Sequence, residues 1–380
     1  MITIFQTALC MGAWSLLGLS MASAVRSGLL KVLMVGSVAG LALLPDIQLW
    51  NNVILSESIS FSLFAIFCGL MFMMTAWRNR PHYLVVVTGI EGVFFGLAKD
   101  TNAYLVLCVG LVMALIFVLN LRKGKRLNIG ALILSLLFIA TFIFSNYSAD
   151  HVELSSDKSR WEYSFLNIMG KRILVDNERL TYFKQCGMPV NEALIRRTDK
   201  WAHEDNNAFY TDPELNEFRI WVKQCGKSCY TNYLIKNIDN AFKRLFMAKE
   251  WILHTEPAIN LTDGYAPKPY KLDRLAKSID LHKKAWFNGL LLTGSLLTLL
   301  IIVSGSCNIN IVFSLIMLIL NIPHAFVCYH GDVMEVPRHC LPVALQFYLG
   351  LILLSIFCVD TLVPVVKSTT DRLLARSHLL

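Results

Sequence analysis

The chain has 380 residues, of which 55% are hydrophobic and 16% charged, with a formal net charge of +8 and a mean hydropathy of +0.52. Charge is concentrated, because residues 147–284 hold 22 of the 35 Lys and Arg and 19 of the 27 Asp and Glu. Such a distribution excludes a soluble two-domain enzyme, a disordered chain and a disulfide-built secreted scaffold, and it reads as a membrane protein with one soluble insert.

Crossing about 30 Å of hydrocarbon at about 1.5 Å per residue takes about 20 apolar residues. Six segments predict spans before the insert, at 2–24, 28–45, 58–77, 83–98, 103–120 and 128–146. Three follow it, at 285–303, 309–328 and 340–358. The expected fold is an all-α polytopic bundle of about nine spans, divided into N-terminal membrane helices (1–146), a mostly helical extracytoplasmic insert (147–284) and C-terminal membrane helices (285–380). The expected partner is the lipid bilayer. A nucleic-acid partner is not expected, because the insert carries little of the net charge and the surplus belongs to loops at the membrane.

Basic residues fall in alternate connections: Arg26 and Lys31, then Arg78 and Arg80, then Arg122 to Arg126, then Lys367, Arg372 and Arg376. By the positive-inside rule these are cytoplasmic and the insert is outside. The same parity places Met1 outside, at the head of an apolar run with no basic flank. The expectation is that an earlier helix and outer loop precede it.

The second and third spans are joined by Pro45-Asp46, Trp50-Asn51-Asn52 and Leu55-Ser56-Glu57-Ser58, with room for a re-entrant or interfacial piece. Glu57 reads either as a helix N-terminal charge or as a base and hydrogen-bond acceptor for a hydroxyl. Glu91 is a lone carboxylate inside the fourth span, where ionisable groups point to function. Lys99-Asp100-Thr101-Asn102 joins the fourth and fifth spans. Its Lys can hold a lipid phosphate as a point charge, or simply pair with Asp100.

In the insert, apolar residues at three-to-four spacing predict helices over 191–201, 213–223 and 230–251, broken at Gly187-Met188-Pro189 and at 264–269. Thr211-Asp212-Pro213-Glu214 reads as a helix start. Trp201, Trp221, Tyr230 and Tyr233 are read as core or interfacial anchors, the alternative being a ligand groove. The stretch 271–284 is basic and amphipathic and is expected to lie along headgroups. Cys186, Cys225, Cys229, Cys328 and Cys340 face the outside, where disulfides can form, with the pairing left open.

The last outer connection runs His330-Gly-Asp332-Val-Met-Glu335-Val-Pro-Arg338-His339. Arg338 at the start of the ninth span suits an anionic headgroup. The remaining side chains match no metal-ligand spacing, so no cofactor is expected, a divalent metal being the alternative.

Three of these segments together resemble a known family. Leu55-Ser56-Glu57-Ser58, Gly96-Leu-Ala-Lys99-Asp-Thr-Asn-Ala-Tyr104 and Glu335-Val-Pro-Arg338-His-Cys-Leu-Pro342 are similar, in that order, to multi-pass polyprenyl-phosphate-sugar-dependent glycosyltransferases of the GT-C superfamily. The resemblance covers about residues 5–120 and 285–360. It implies a GT-C-like helical bundle and a bacterial inner membrane, with the insert facing the periplasm. The implied substrate is a polyprenyl-phosphate-linked sugar, passed to a glycan or protein acceptor. It further implies Lys99 and Arg338 at the donor phosphate, Glu57 or Asp46 as the carboxylate that works on the acceptor, and Asn102, Glu335 and His339 at the substrate. In that family the usual catalytic carboxylate lies in a first outer loop. The first span here resembles the family's second, so that loop has no counterpart. Two other readings stand beside it, a transporter or flippase of a lipid-linked or small anionic substrate, and a noncatalytic membrane subunit.

Overall fold

The computed structural model describes residues 2–51, 56–76, 81–123, 129–151, 153–155, 158–248, 252–253, 284–304, 308–334 and 336–377. Among them, six helices are long and apolar enough to cross a membrane: Ile2–Ser23, Glu57–Ala76, Asp100–Arg122, Ile129–His151, Ile309–Gly331 and Arg338–Val363. Three further apolar helices are shorter, Gly28–Ala42, His82–Ala98 and Leu290–Ile302. These helices fit an integral multi-pass membrane protein. Large apolar side chains such as Leu29, Val32, Val86, Phe94, Leu115 and Ile302 stand exposed along them, as side chains facing lipid do.

In chain order the helices are α1 (Ile2–Ser23), α2 (Gly28–Ala42), α3 (Pro45–Asn51), α4 (Ser56–Ala76), α5 (His82–Ala98), α6 (Asp100–Arg122) and α7 (Ile129–His151). After the insert come α15 (Lys284–Ser304), α16 (Ile309–Gly331) and α17 (Val336–Ser377). The last is far longer than the expected span at 340–358. The short α3 occupies part of the connection expected to hold an interfacial piece, and it packs on α1 and α4 with Ile47 and Trp50 buried.

The chain divides into two compact units. The first comprises residues 1–142, 254–324 and 341–380. Its helices approach closely where a residue is small, as is usual where helices meet without a hydrophobic driving force. Gly69 of α4 lies against the backbone of Leu17 in α1, and Gly110 of α6 against Ser135 and Phe138 in α7. Phe72 of α4 packs edge-on to Phe313 of α16 and stacks on Phe357 of α17.

The second unit comprises residues 143–253 and 325–340. A two-strand ladder, β1 (Glu153–Ser155) with β2 (Lys158–Ser159), leads into α8 (Arg160–Ile168). There follow α9 (Asn177–Gln185), α10 (Glu192–Ile195), α11 (Glu204–Thr211), α12 (Asn216–Trp221), α13 (Lys227–Lys236) and α14 (Ile238–Met247). Phe165, Phe183, Phe209, Phe218 and Trp221 form its core. Asp176 caps α9, and Asn191 caps α10. The predicted start at Asp212-Pro213 is present, with Asp212 accepting from Glu214 N as the cap of a short 3-10 turn.

Two predicted insert helices are shorter than expected. The one over 191–201 ends at Ile195, because Asp199 takes a left-handed φ of 59° and the chain turns instead. Asp205, Asn206 and Asn207 are also left-handed, a conformation that Asp and Asn tolerate better than other side chains. The helix over 230–251 divides at Asn237, which leaves helical geometry and bonds through Nδ2 to Tyr233 O. The break at Gly187 is present, with φ +81° after the end of α9. The predicted break at 264–269 and most of the amphipathic stretch 271–284 lie outside the described residues.

Candidate functional site

In the first unit, the start of α4, the end of α5 and the start of α6 supply a polar cluster, and a second polar contact joins the end of α3 to α4. Lys99 has an extended backbone (φ −156°, ψ 138°) that ends α5 and caps α6, with Asn102 N donating to Lys99 O at 2.9 Å. That break turns the Lys99 side chain to Glu57 at the head of α4, Nζ to Oε1 3.7 Å, the two side chains being 11% and 3% exposed. Asn102 Nδ2 donates to Ser60 Oγ at 2.8 Å and to Phe95 O at 3.1 Å. Ser58 Oγ donates to Asn51 Oδ1 at 2.7 Å. A carboxylate, an ammonium, an amide and a hydroxyl are thus held within the apolar bundle, with the Asn51–Ser58 pair as a separate contact.

Burying either charge alone would cost several kcal/mol, roughly, and the pair is tolerable because each supplies the other's counter-charge. The cluster is not polar filler that satisfies itself. Asn102 Oδ1 and Thr101 Oγ1 are buried and hydrogen-bond to nothing among the described residues. Buried polar atoms of that kind ask for a bound partner. An anion reaching Lys99 would compete with Glu57 for it, releasing the carboxylate to accept a hydroxyl proton.

Glu57, Lys99 and Asn102 are therefore brought together by the fold. The Asp46 side chain lies outside the described residues. Arg338 and His339 belong to the second unit, and both are half-buried. His339 Nε2 lies 3.9 Å from Asp332 Oδ2, which also accepts from Ser164 Oγ at 2.9 Å. Asp332 Oδ1 accepts from the N–H groups of Val333 and Met334. His330 is buried, its Nε2 3.2 Å from Ala241 O. In this segment Asp332 and His330 are engaged in holding the loop. Among the described residues no three His, Cys, Asp or Glu side chains converge as a metal site would need. Glu335 lies outside the described residues.

Sequence reasoning did not single out Ser60 as a member of the cluster, nor the Ser58–Asn51 contact beside it in sequence. The signal was the run Ser56-Glu57-Ser58-Ile59-Ser60-Phe61-Ser62, which is unusually hydroxyl-rich for the head of an apolar helix. Of the aromatic residues, Trp221 is core, while Tyr230 and Tyr233 both pack on the core and line a cavity.

No family model matches the chain, and no match is found among curated proteins or solved structures.

Proposed function

We propose that the chain is a membrane glycosyltransferase of about nine passes that moves a sugar from a polyprenyl-phosphate donor to an extracytoplasmic acceptor. The observation that carries this reading is the buried Glu57–Lys99 pair, with Asn102 bonded to the Lys99 backbone and its own Oδ1 without a partner among the described residues. In the proposed reaction the donor phosphate takes Lys99, and Glu57 accepts the proton of the acceptor hydroxyl. The acceptor oxygen then forms a bond to the anomeric carbon as the bond from that carbon to the phosphate oxygen breaks. The electron pair leaves with the lipid phosphate, whose charge Lys99 stabilises. Asn102 is the proposed partner of a sugar hydroxyl, and Asp46 is the alternative base. A bacterial inner membrane, with the insert in the periplasm, is the setting that suits a donor of this chemistry.

The test is transfer by the purified chain in nanodiscs, using radiolabelled polyprenyl-phosphate hexoses and pentoses. Glu57→Gln should lower transfer by about 10²–10⁴-fold, the range for loss of a general base. Lys99→Arg, which keeps the charge, should retain far more activity than Lys99→Met. Wild-type rates from Glu57→Gln, or no labelled product from any donor, would sink the proposal. Thermal unfolding of each variant separates lost chemistry from lost folding.

One observation favours the transport reading. Glu91 is half-buried within α5, and its Oε1 is buried without a hydrogen-bond partner among the described residues. That reading requires movement of an anionic substrate across a bilayer that Glu91→Gln abolishes, with no covalent product.

A further inference from the structure

The second unit contains a cavity of about 420 Å³, walled by the first π-helical turn, α9, α13, α14 and the end of α16. The turn is Met169–Ile173, and it has the geometry it needs because Gly170 leaves room for the backbone carbonyl of Lys200, which any side chain would strike. It presents Arg172, whose Nη1 donates to Tyr329 O at 2.7 Å and whose guanidinium lies 4.3 Å from the centre of the Tyr329 ring. Arg179, only 8% exposed, donates through Nη1 to Arg172 O at 2.7 Å. Arg244 comes from α14.

One carboxylate serves two of these three guanidinium groups. Asp176 Oδ2 lies 3.1 Å from Arg179 Nε and 3.2 Å from Arg244 Nη2, so the same oxygen is shared by two cations. Its Oδ1 is taken by the N–H groups of Glu178 and Arg179 at the head of α9. Among the described residues no carboxylate pairs with Arg172. Lys171 also lines the cavity, but Asp199 binds it at 3.0 Å. A wall with three permanent positive charges and one negative charge is short of anionic partners. Guanidinium cannot relieve this by losing a proton, and each group has five N–H donors, of which one or two are used here.

We propose that this cavity binds a phosphoryl group carried on a polar body such as a sugar. Guanidinium forks match phosphate oxygens in geometry as well as charge. The volume exceeds what an inorganic anion needs and falls in the range of small-molecule sites, roughly 300–1,000 Å³. The rest of the wall suits such a body: the rings of Tyr230 and Tyr233 offer flat apolar faces, and Asn237 and Asn240 offer amides. The site lies wholly within the second unit and is independent of the transfer chemistry proposed for Glu57 and Lys99.

Binding is tested on the full chain in nanodiscs, with glucose 1-phosphate, inorganic phosphate and glucose as probes and the unfolding midpoint as readout. Glucose 1-phosphate at ~10 mM should raise the midpoint, because a ligand of the folded state stabilises it by mass action, and glucose should not. Arg244→Gln, which removes the most exposed of the three guanidiniums, should weaken the apparent affinity about tenfold or more, as loss of a charge-assisted hydrogen bond does. Arg172→Lys is the second variant; it keeps the charge, loses the fork and should also bind more weakly. Two lipid compositions distinguish the source of the group. Competition by phosphatidic acid in the disc would assign the cavity to a lipid headgroup, and indifference to it would assign the cavity to a soluble phosphorylated ligand. The proposal is overturned if glucose 1-phosphate shifts the midpoint no more than chloride of equal ionic strength, or if both variants bind it as the wild type does.

Discussion

Asp360 is a charged residue near the end of the apolar stretch of α17, and its role is structural. Its carboxylate, 8% exposed, accepts hydrogen bonds from Arg26 N at 3.0 and 3.2 Å and from Ser27 N at 3.2 Å. These N–H groups precede the first turn of α2, where donors lack intrahelical partners and negative charge is favoured. Asp360→Ala removes the acceptor of two N–H groups at the head of a helix and should cost ~0.5–2 kcal/mol, the range for loss of a cap. Asp360→Asn, which keeps an acceptor, should cost less. Thermal unfolding in detergent measures both, and an Ala variant as stable as the Asn variant would remove the capping role. Asp360 was readable as a residue just past the ninth span, but its partner lies 334 positions away and no local pattern announces it. The same limit applies to Lys99. Sequence adjacency suggested Asp100 as its partner, whereas the fold brings it to Glu57.

At the scale of elements, hydropathy was the legible signal, and a helix stands at each of the nine segments where an apolar run predicts one. The least convincing, the short fourth segment, became α5, and its glycines explain why it can be short of apolar bulk and still pack. A Cβ on Gly89 would approach Leu137 and Leu134 of α7 at 3.0 and 3.2 Å, and one on Gly96 would meet Thr141 at 2.9 Å. At Gly92 a Cβ would run into the Phe138 ring, with Phe67 at 3.1 Å behind it. Overpacking of that kind typically costs ~1–3 kcal/mol. Gly92→Ala should therefore lower the unfolding midpoint, although Ala ordinarily favours a helix over Gly by about 0.5–1 kcal/mol. Gly36→Ala in α2, where nothing lies within 4 Å, is the control and should be neutral or stabilising. Equal behaviour of the two variants would refute the packing argument. Helix boundaries in the insert were less legible for a related reason. Left-handed Asp and Asn residues and two π-helical turns, Met169–Ile173 and Val222–Gly226, interrupt a periodicity that looks continuous in the sequence.

For the whole molecule, the chain order of charges predicts which ends of the helices share a side, and the first unit holds contacts between residues expected on the same side. Arg26 and Ser27 meet Asp360, and Asn308 Nδ2 donates to Thr361 Oγ1 at 2.7 Å; all five lie at or beside connections expected to be cytoplasmic. Glu57, Lys99 and Asn102 gather at connections expected to be outside. The division of residues between the two units was the part that sequence could not supply, since the return through residues 325–340 joins the insert and carries Arg338 and His339 with it. Three cysteines in the insert make the sidedness testable. Cys225 is exposed, Cys186 half-buried and Cys229 buried. Burial first, and then the adjacent Cys186, push the Cys229 thiol above its ordinary range, so at neutral pH less of it is the reactive thiolate. A membrane-impermeant maleimide added to intact cells at neutral pH should modify Cys225 and spare Cys229, and labelling of Cys229 should appear only as pH rises or the fold opens. Mass spectrometry of tryptic peptides reads both sites. Labelling of Cys225 that requires permeabilised cells would place the insert on the cytoplasmic side. Such a result would reverse the charge-based orientation and put the Glu57–Lys99 cluster beyond the reach of an extracytoplasmic acceptor.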